Sequence, residues 1–156
     1  MNTLILYATK HGATREIAER IADIMGGATL HDLKQDNSPA LDGFDCIILG
    51  SSVYAGSIRK EAKAFLAKNA DALQDQKFGL FLSGLEYSEE KKYFDGNFPQ
   101  DMLQSAKAAS FLGGIFDPQK ANAIERTVMK AVSKQSGYMN LISEEKIKQF
   151  AEIMKT

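Results

Sequence analysis

Thr9-Lys10-His11-Gly12-Ala13-Thr14 carries the residue types that hold an anion. The stretch follows an apolar run, Leu4-Ile5-Leu6-Tyr7-Ala8, and opens an amphipathic helical pattern. The first N–H groups of a helix lack partners within the helix, and the dipole adds about half a positive charge at that end. Gly12 lets backbone come close to a phosphate, and Thr9 and Thr14 add hydroxyl donors. A phosphate-bearing ligand is therefore expected at the end of the first strand. A Thr-rich helix cap without a ligand has the same local pattern, so the other loops matter.

Two more loops have suitable chemistry. Gly50-Ser51-Ser52-Val53-Tyr54-Ala55-Gly56-Ser57 combines small residues, hydroxyls, an aromatic and a second glycine. Ser83-Gly84-Leu85-Glu86-Tyr87-Ser88 is similar in kind. Together they suit a flat aromatic ligand. Its phosphate would lie in the first loop, its ring between the other two, with Tyr54 and Tyr87 on its faces and backbone amides at its edge. The alternative for both tyrosines is a half-exposed aromatic in a turn.

The elements that must position these loops alternate between short apolar runs and helical patterns, which reads as α/β with a mostly parallel sheet. Strands are expected at Thr3–Ala8, Ala28–Leu33, Cys46–Gly50, Phe78–Ser83 and Ser110–Phe116. The first helix is expected from Ala13 to Met25, with Ile17, Ala18, Ile21, Ala22 and Met25 on one face and Gly26-Gly27 ending it in a left-handed turn. A second helix should cover Arg59 to Ala70, and a third should begin near Pro99. The last helix should start at Ser143, an N-cap followed by Glu144 and Glu145 in the first turn. Lys34–Phe44 reads as a loop. In a parallel sheet all three candidate loops emerge at one end, where ligands bind at the point at which strand order reverses.

The 156 residues fit a single domain spanning 1–156 with a substantial core. With 44% apolar and 25% charged residues, the composition is that of an ordinary globular protein. A net charge of −1 supplies no basic excess for nucleic acid. No apolar run is long enough to span a bilayer, and no basic-then-apolar leader precedes the first strand. The single cysteine, Cys46, reads as a small core residue, and together these features point to a cytoplasmic setting.

At this point the chain resembles FMN-binding proteins of the flavodoxin fold. The resemblance rests on Thr9-x-x-Gly12-x-Thr14 after a strand, on Gly50-Ser51-Ser52-Val53-Tyr54-Ala55-Gly56, and on the order of elements. It is nearer to the short flavodoxin-domain branch that includes the menaquinone-dependent protoporphyrinogen oxidases, through Tyr54-Ala55-Gly56 and the extra segment beginning at Arg126. The resemblance implies a three-layer sandwich, a five-stranded parallel sheet in the order 2-1-3-4-5, non-covalent FMN and one- or two-electron transfer. It assigns Thr9, Lys10, His11, Gly12, Ala13 and Thr14 to the phosphate. It assigns Ser51, Ser52, Val53, Tyr54, Ala55 and Gly56 to one side of the ring, and Ser83, Gly84, Leu85 and Tyr87 to the other. No catalytic residue and no metal ligand is implied. The partners implied are redox proteins or a quinone or porphyrinogen substrate. Lys91 and Lys92 offset Glu86, Glu89, Glu90 and Asp95, which weakens the acidic surface of a simple electron carrier.

A site of backbone amides and tyrosine faces, with Glu86 nearby, stabilises negative charge on a reduced flavin poorly, so a low potential for the second electron is expected. Gly56, or the Ala55–Gly56 peptide, is the candidate for a backbone flip linked to redox state. His11 is expected at the phosphate and His31 as structural.

Asp117-Pro118 is expected to start an extra helix reaching Lys134, with Ala121, Ile124, Val128 and Ala131 on one face. That face either packs on its own domain or docks a membrane, a quinone or a partner protein. Other α/β classes fail on particular residues. A receiver domain needs acidic residues where Thr9-Lys10 and Ser51-Ser52 stand. A Rossmann dehydrogenase needs Gly-x-Gly-x-x-Gly, and a small tyrosine phosphatase needs a cysteine in the first loop. Three readings stay open: an electron-transfer flavoprotein, a flavin-dependent oxidoreductase of the protoporphyrinogen oxidase type, and a binding module that keeps the fold with little or no FMN.

Overall fold

The computed structural model describes residues 1–133 and 137–156. Its sheet is built from β1 (Thr3–Ala8), β2 (Thr29–Asp32), β3 (Cys46–Tyr54), β5 (Lys77–Ser83) and β6 (Ala108–Phe111), all parallel, in the order β2-β1-β3-β5-β6. This is the expected 2-1-3-4-5 order once the short β4 (Ser57–Ile58), which pairs antiparallel with the end of β3, is counted. Central parallel strands are buried on both faces and so read as unbroken apolar runs; β1 is buried at every residue.

Alternate side chains feed two cores. Leu4, Leu6, Ile47, Leu49, Leu80 and Leu82 meet Ala62, Phe65, Leu66 and Leu73 of α2 (Lys60–Gln74). Ile5, Tyr7, Ile48 and Phe81 meet Ile17, Ala18 and Ile21 of α1 (Ala13–Ile24) and Ile147, Phe150, Ala151 and Met154 of α6 (Glu144–Lys155). Ser143 caps α6, its side chain accepting the Lys146 N–H at 3.2 Å. Gly26 and Gly27 turn left-handed after α1, as expected.

The connection from β5 to β6 differs from expectation. Residues 84–99 hold α3 (Glu90–Asn97), and Pro99 then precedes α4 (Gln100–Ser105). Only Phe94 of α3 is buried, too sparse a stripe to announce a helix. The run expected as one strand, Ser110–Phe116, is two. β6 ends at Phe111, and after the break β7 (Ile115–Phe116) pairs antiparallel with β8 (Met139–Asn140). Gly113 makes the break, with φ +88° and no room for a side chain: a Cβ there would lie 2.0 Å from the Leu141 carbonyl oxygen.

The extra helix, α5, runs Ala123–Ser133 rather than from Asp117. Asp117 instead caps a turn, its side chain accepting from the Gln119 N–H and its carbonyl from Lys120 and Ala121. The expected helix end at Lys134 lies outside the described residues. Ala121 is buried, but Ile124 and Val128 are 69% and 48% exposed, so much of the expected apolar face is not packed on the domain.

Candidate functional site

The loops after β1, β3 and β5 meet at the C-terminal edge of the sheet, where β1 and β3 mark the reversal of strand order. The first loop is held by its own residues. Gly12 has φ +100° and donates its N–H to Thr9 Oγ1 at 2.9 Å. That bond tightens the turn and leaves the amides of the first turn of α1, from Ala13 onward, at the sheet edge.

Beneath this turn three hydroxyls share one side of the sheet. Thr14 is fully buried, and its Oγ1 lies 2.7 Å from Ser83 Oγ. Ser52 stands beside Ser83 in the β3–β5 register. Its Oγ is buried with no hydrogen-bond partner among the described residues. Thr14, expected as a hydroxyl donor to phosphate, has its Oγ1 in contact with Ser83, and its backbone N–H lies in the first turn of α1. A buried hydroxyl without a partner costs about 1–3 kcal/mol. Ser52 is thus the polar atom here that a bound molecule would satisfy, and the small residues around it suit a group that approaches backbone closely.

The second loop is a hairpin. Val53 pairs with Ile58 and Tyr54 with Ser57, which leaves Ala55 and Gly56 as a two-residue turn with φ +51° and +77°. Ser51 Oγ accepts the Arg59 N–H at 3.0 Å and donates to the Ser52 carbonyl at 2.9 Å, so it braces the hairpin. Asn97 of α3 does the same from outside. Its Nδ2 donates to the Gly56 carbonyl at 2.9 Å and its Oδ1 accepts the Ile58 N–H at 3.1 Å. Tyr54 is 43% exposed, with Lys10 Nζ 4.8 Å from its ring centroid.

The third loop is tied to the break after β6, where the Gly84 N–H donates to the Gly113 carbonyl at 3.1 Å. Leu85 is half-buried. Tyr87 is engaged by the protein itself. It stacks edge-on against Phe111 with centroids 5.2 Å apart, donates its hydroxyl to the Leu141 carbonyl at 2.6 Å, and carries Lys146 Nζ 4.9 Å from its ring. Burial raises its pKa, with the Glu90 carboxylate adding to the shift.

Lys10 and His11 have a partner that the sequence did not reveal. Glu125, in the first turn of α5, lies 2.7 Å from Lys10 Nζ through Oε1 and 2.9 Å from His11 Nε2 through Oε2. Burial pushes the Glu125 carboxyl up, but hydrogen bonds from Lys10 and His11 outweigh it and hold it below the usual carboxylate range. A cleft beside this loop is lined by His11, Gly12, Ala13, Glu16, Asp117 and Lys120. Asn97, Gly113, Asp117, Lys120 and Glu125 are therefore site residues that local pattern did not mark.

A doubly wound parallel sheet with these loops at its switch point defines a flavodoxin-like α/β protein. The chain belongs to the flavodoxin domain family, whose sequence model matches residues 4–140. Membership carries the expectation of FMN as cofactor and electron transfer as function. Among known proteins, protoporphyrinogen IX dehydrogenase [quinone] of Escherichia coli is 22% identical over 147 residues, covering 88% of this chain and 81% of that protein. Among solved structures, oxidised flavodoxin 2 from Bacillus cereus superposes with a TM-score of 0.62 at 20% identity, covering 99% of this chain and 97% of that one. Rubredoxin oxygen:oxidoreductase from Desulfovibrio gigas gives a TM-score of 0.61 at 14% identity over 99% of this chain. This chain spans only 34% of that protein's length. No helix among the described residues is long and apolar enough to cross a membrane, and none of their His, Cys, Asp and Glu side chains form a metal-binding group.

Proposed function

We propose that this chain is a single flavodoxin-like domain, 1–156, that binds FMN and transfers electrons in the cytoplasm. The observation that carries the reading is the junction of the three loops around a buried Ser52 hydroxyl with no protein partner. In this reading Ala13 and Thr14 hold the phosphate through backbone N–H groups, with Thr9 and Gly12 setting the turn, Lys10 adding charge and His11 beside it. Ser51, Ser52, Val53, Tyr54, Ala55 and Gly56 line one side of the ring, with the exposed Tyr54 face as its stacking surface. Ser83, Gly84 and Leu85 line the other side. Tyr87 shapes that loop through Leu141 and Phe111 rather than touching the ring.

Bound FMN supplies one- and two-electron chemistry. The protein's own part is to place the ring between two braced loops, shield one face with Tyr54, and surround its edge with backbone. The Gly56 carbonyl is held by Asn97, so the Ala55–Gly56 peptide is the unit free to turn with redox state. The partners are redox proteins. A second reading, oxidation of a porphyrinogen with a quinone as acceptor, is supported by the Escherichia coli dehydrogenase that matches 88% of the chain.

The visible spectrum of the purified or FMN-reconstituted protein tests the first reading. A flavin band that releases FMN is the expected result; a colourless protein that takes up no FMN overturns it. Turnover of protoporphyrinogen with a quinone separates the enzyme from the carrier.

A further inference from the structure

We propose that Glu125 is a tethered anion competing for Lys10 and His11 of the phosphate loop, so that α5 sets how strongly the site prefers a phosphate-bearing flavin over its dephosphorylated form. This rests on the reading that the phosphate lies in the Thr9–Thr14 loop.

The carboxylate divides its two oxygens between Lys10 Nζ and His11 Nε2, at 2.7 and 2.9 Å, and its side chain is only 10% exposed. It thus makes the contacts that two oxygens of a phosphate would make with the same two side chains. Its position is built rather than incidental. Asn122 caps α5, its side chain accepting the Glu125 N–H at 2.8 Å. Arg126 clasps the approach by donating to the Pro118 and Ala121 carbonyls at 3.1 and 3.0 Å. Among the described side chains of α5, Ile124 and Val128 are exposed. The Glu125 contacts with Lys10 and His11 tie the start of this helix to the loop.

Two anions sharing Lys10 and His11 oppose each other, either by displacement or by repulsion in a partly buried place. Coupling between the two is reciprocal. A phosphate on the loop loosens α5, and Glu125 on the loop weakens the phosphate. Riboflavin, which has the ring and no phosphate, does neither.

The test is titration of FMN and of riboflavin, by quenching of flavin fluorescence, into the wild-type protein and Glu125→Gln. The expected result is that wild type prefers FMN and that the variant raises the FMN-to-riboflavin affinity ratio by about tenfold, a usual size for coupled sites. A merely structural role for Glu125 would change both affinities together and leave the ratio alone. An equal or lower ratio in the variant overturns the competition and leaves the phosphate-loop reading standing. A wild type that binds riboflavin as tightly as FMN overturns both. Should the variant not fold, hydrogen exchange of residues 123–131 in the unaltered protein decides. Faster exchange with FMN than with riboflavin is expected, and equal or slower exchange refutes the proposal.

Discussion

At the scale of single residues the buried Ser52 hydroxyl and the left-handed Gly12 each make a prediction. Ser52→Ala removes the buried hydroxyl that has no protein partner. It should raise the melting temperature of the flavin-free protein by a few degrees and weaken FMN about five- to tenfold, the worth of one hydrogen bond. Thermal melts without flavin and a fluorescence titration check the two halves. If the variant lost stability without flavin and kept its FMN affinity, Ser52 would be an ordinary core hydroxyl. Gly12→Ala places a side chain at φ +100°, where L residues lose about 1–2 kcal/mol. Its melting temperature should fall by several degrees, with FMN binding weakened through the distorted turn. Thr9 and Gly12 were legible in the sequence because their bond spans three residues. The contact of Thr14 with Ser83 was not legible, because Ser83 lies 69 residues away. Glu125 was not legible at all, since it meets the loop from 114 and 115 positions downstream.

At the scale of elements the hairpin after β3 joins ring site to scaffold. Ala55 adopts φ +51° in a two-residue turn that favours Asn or Gly. Ala55→Asn should therefore add about 1 kcal/mol of stability, or roughly 2–4 °C in a melt. Asn97→Ala removes both side-chain bonds to the hairpin and should cost about 1–2 kcal/mol. Because the hairpin serves the ring and not the phosphate, FMN and riboflavin affinities should fall together, with their ratio unchanged. A ratio that moved as far as it does in Glu125→Gln would place Asn97 at the phosphate instead. The sheet was legible because buried parallel strands are unbroken apolar runs. The elements at this edge were not. α3 buries only Phe94, and β4, β7 and β8 have two residues each, too few to show a period. Their positions are fixed by partners far along the chain, as β7 is by β8.

At the scale of the whole molecule, Glu125 links the segment between β7 and α6 to the first loop, and this link should titrate. Lys10 and His11 hold the carboxyl below its usual pKa, with Asp117 and Lys120 lining the cleft on the other side of His11. A carboxyl depressed in the folded state stabilises the fold above its unfolded pKa, about 4.3, and the contribution is lost as pH falls through the folded value. The wild-type protein should thus melt above Glu125→Gln at neutral pH. The gap should narrow as pH falls below about 5 and through the folded value, because the protonated carboxyl and the amide then differ little in charge. Asp117 and Lys120 are common to both proteins, so their titration cancels in the difference. The same comparison in high salt should shrink the neutral-pH gap only in part, since the carboxylate is mostly buried and poorly screened. A gap that stayed constant down to pH 3 would mean that Glu125 contributes through shape alone. In that case α5 would be held on the domain by packing, and Lys10 and His11 would be free for a phosphate in the wild-type protein.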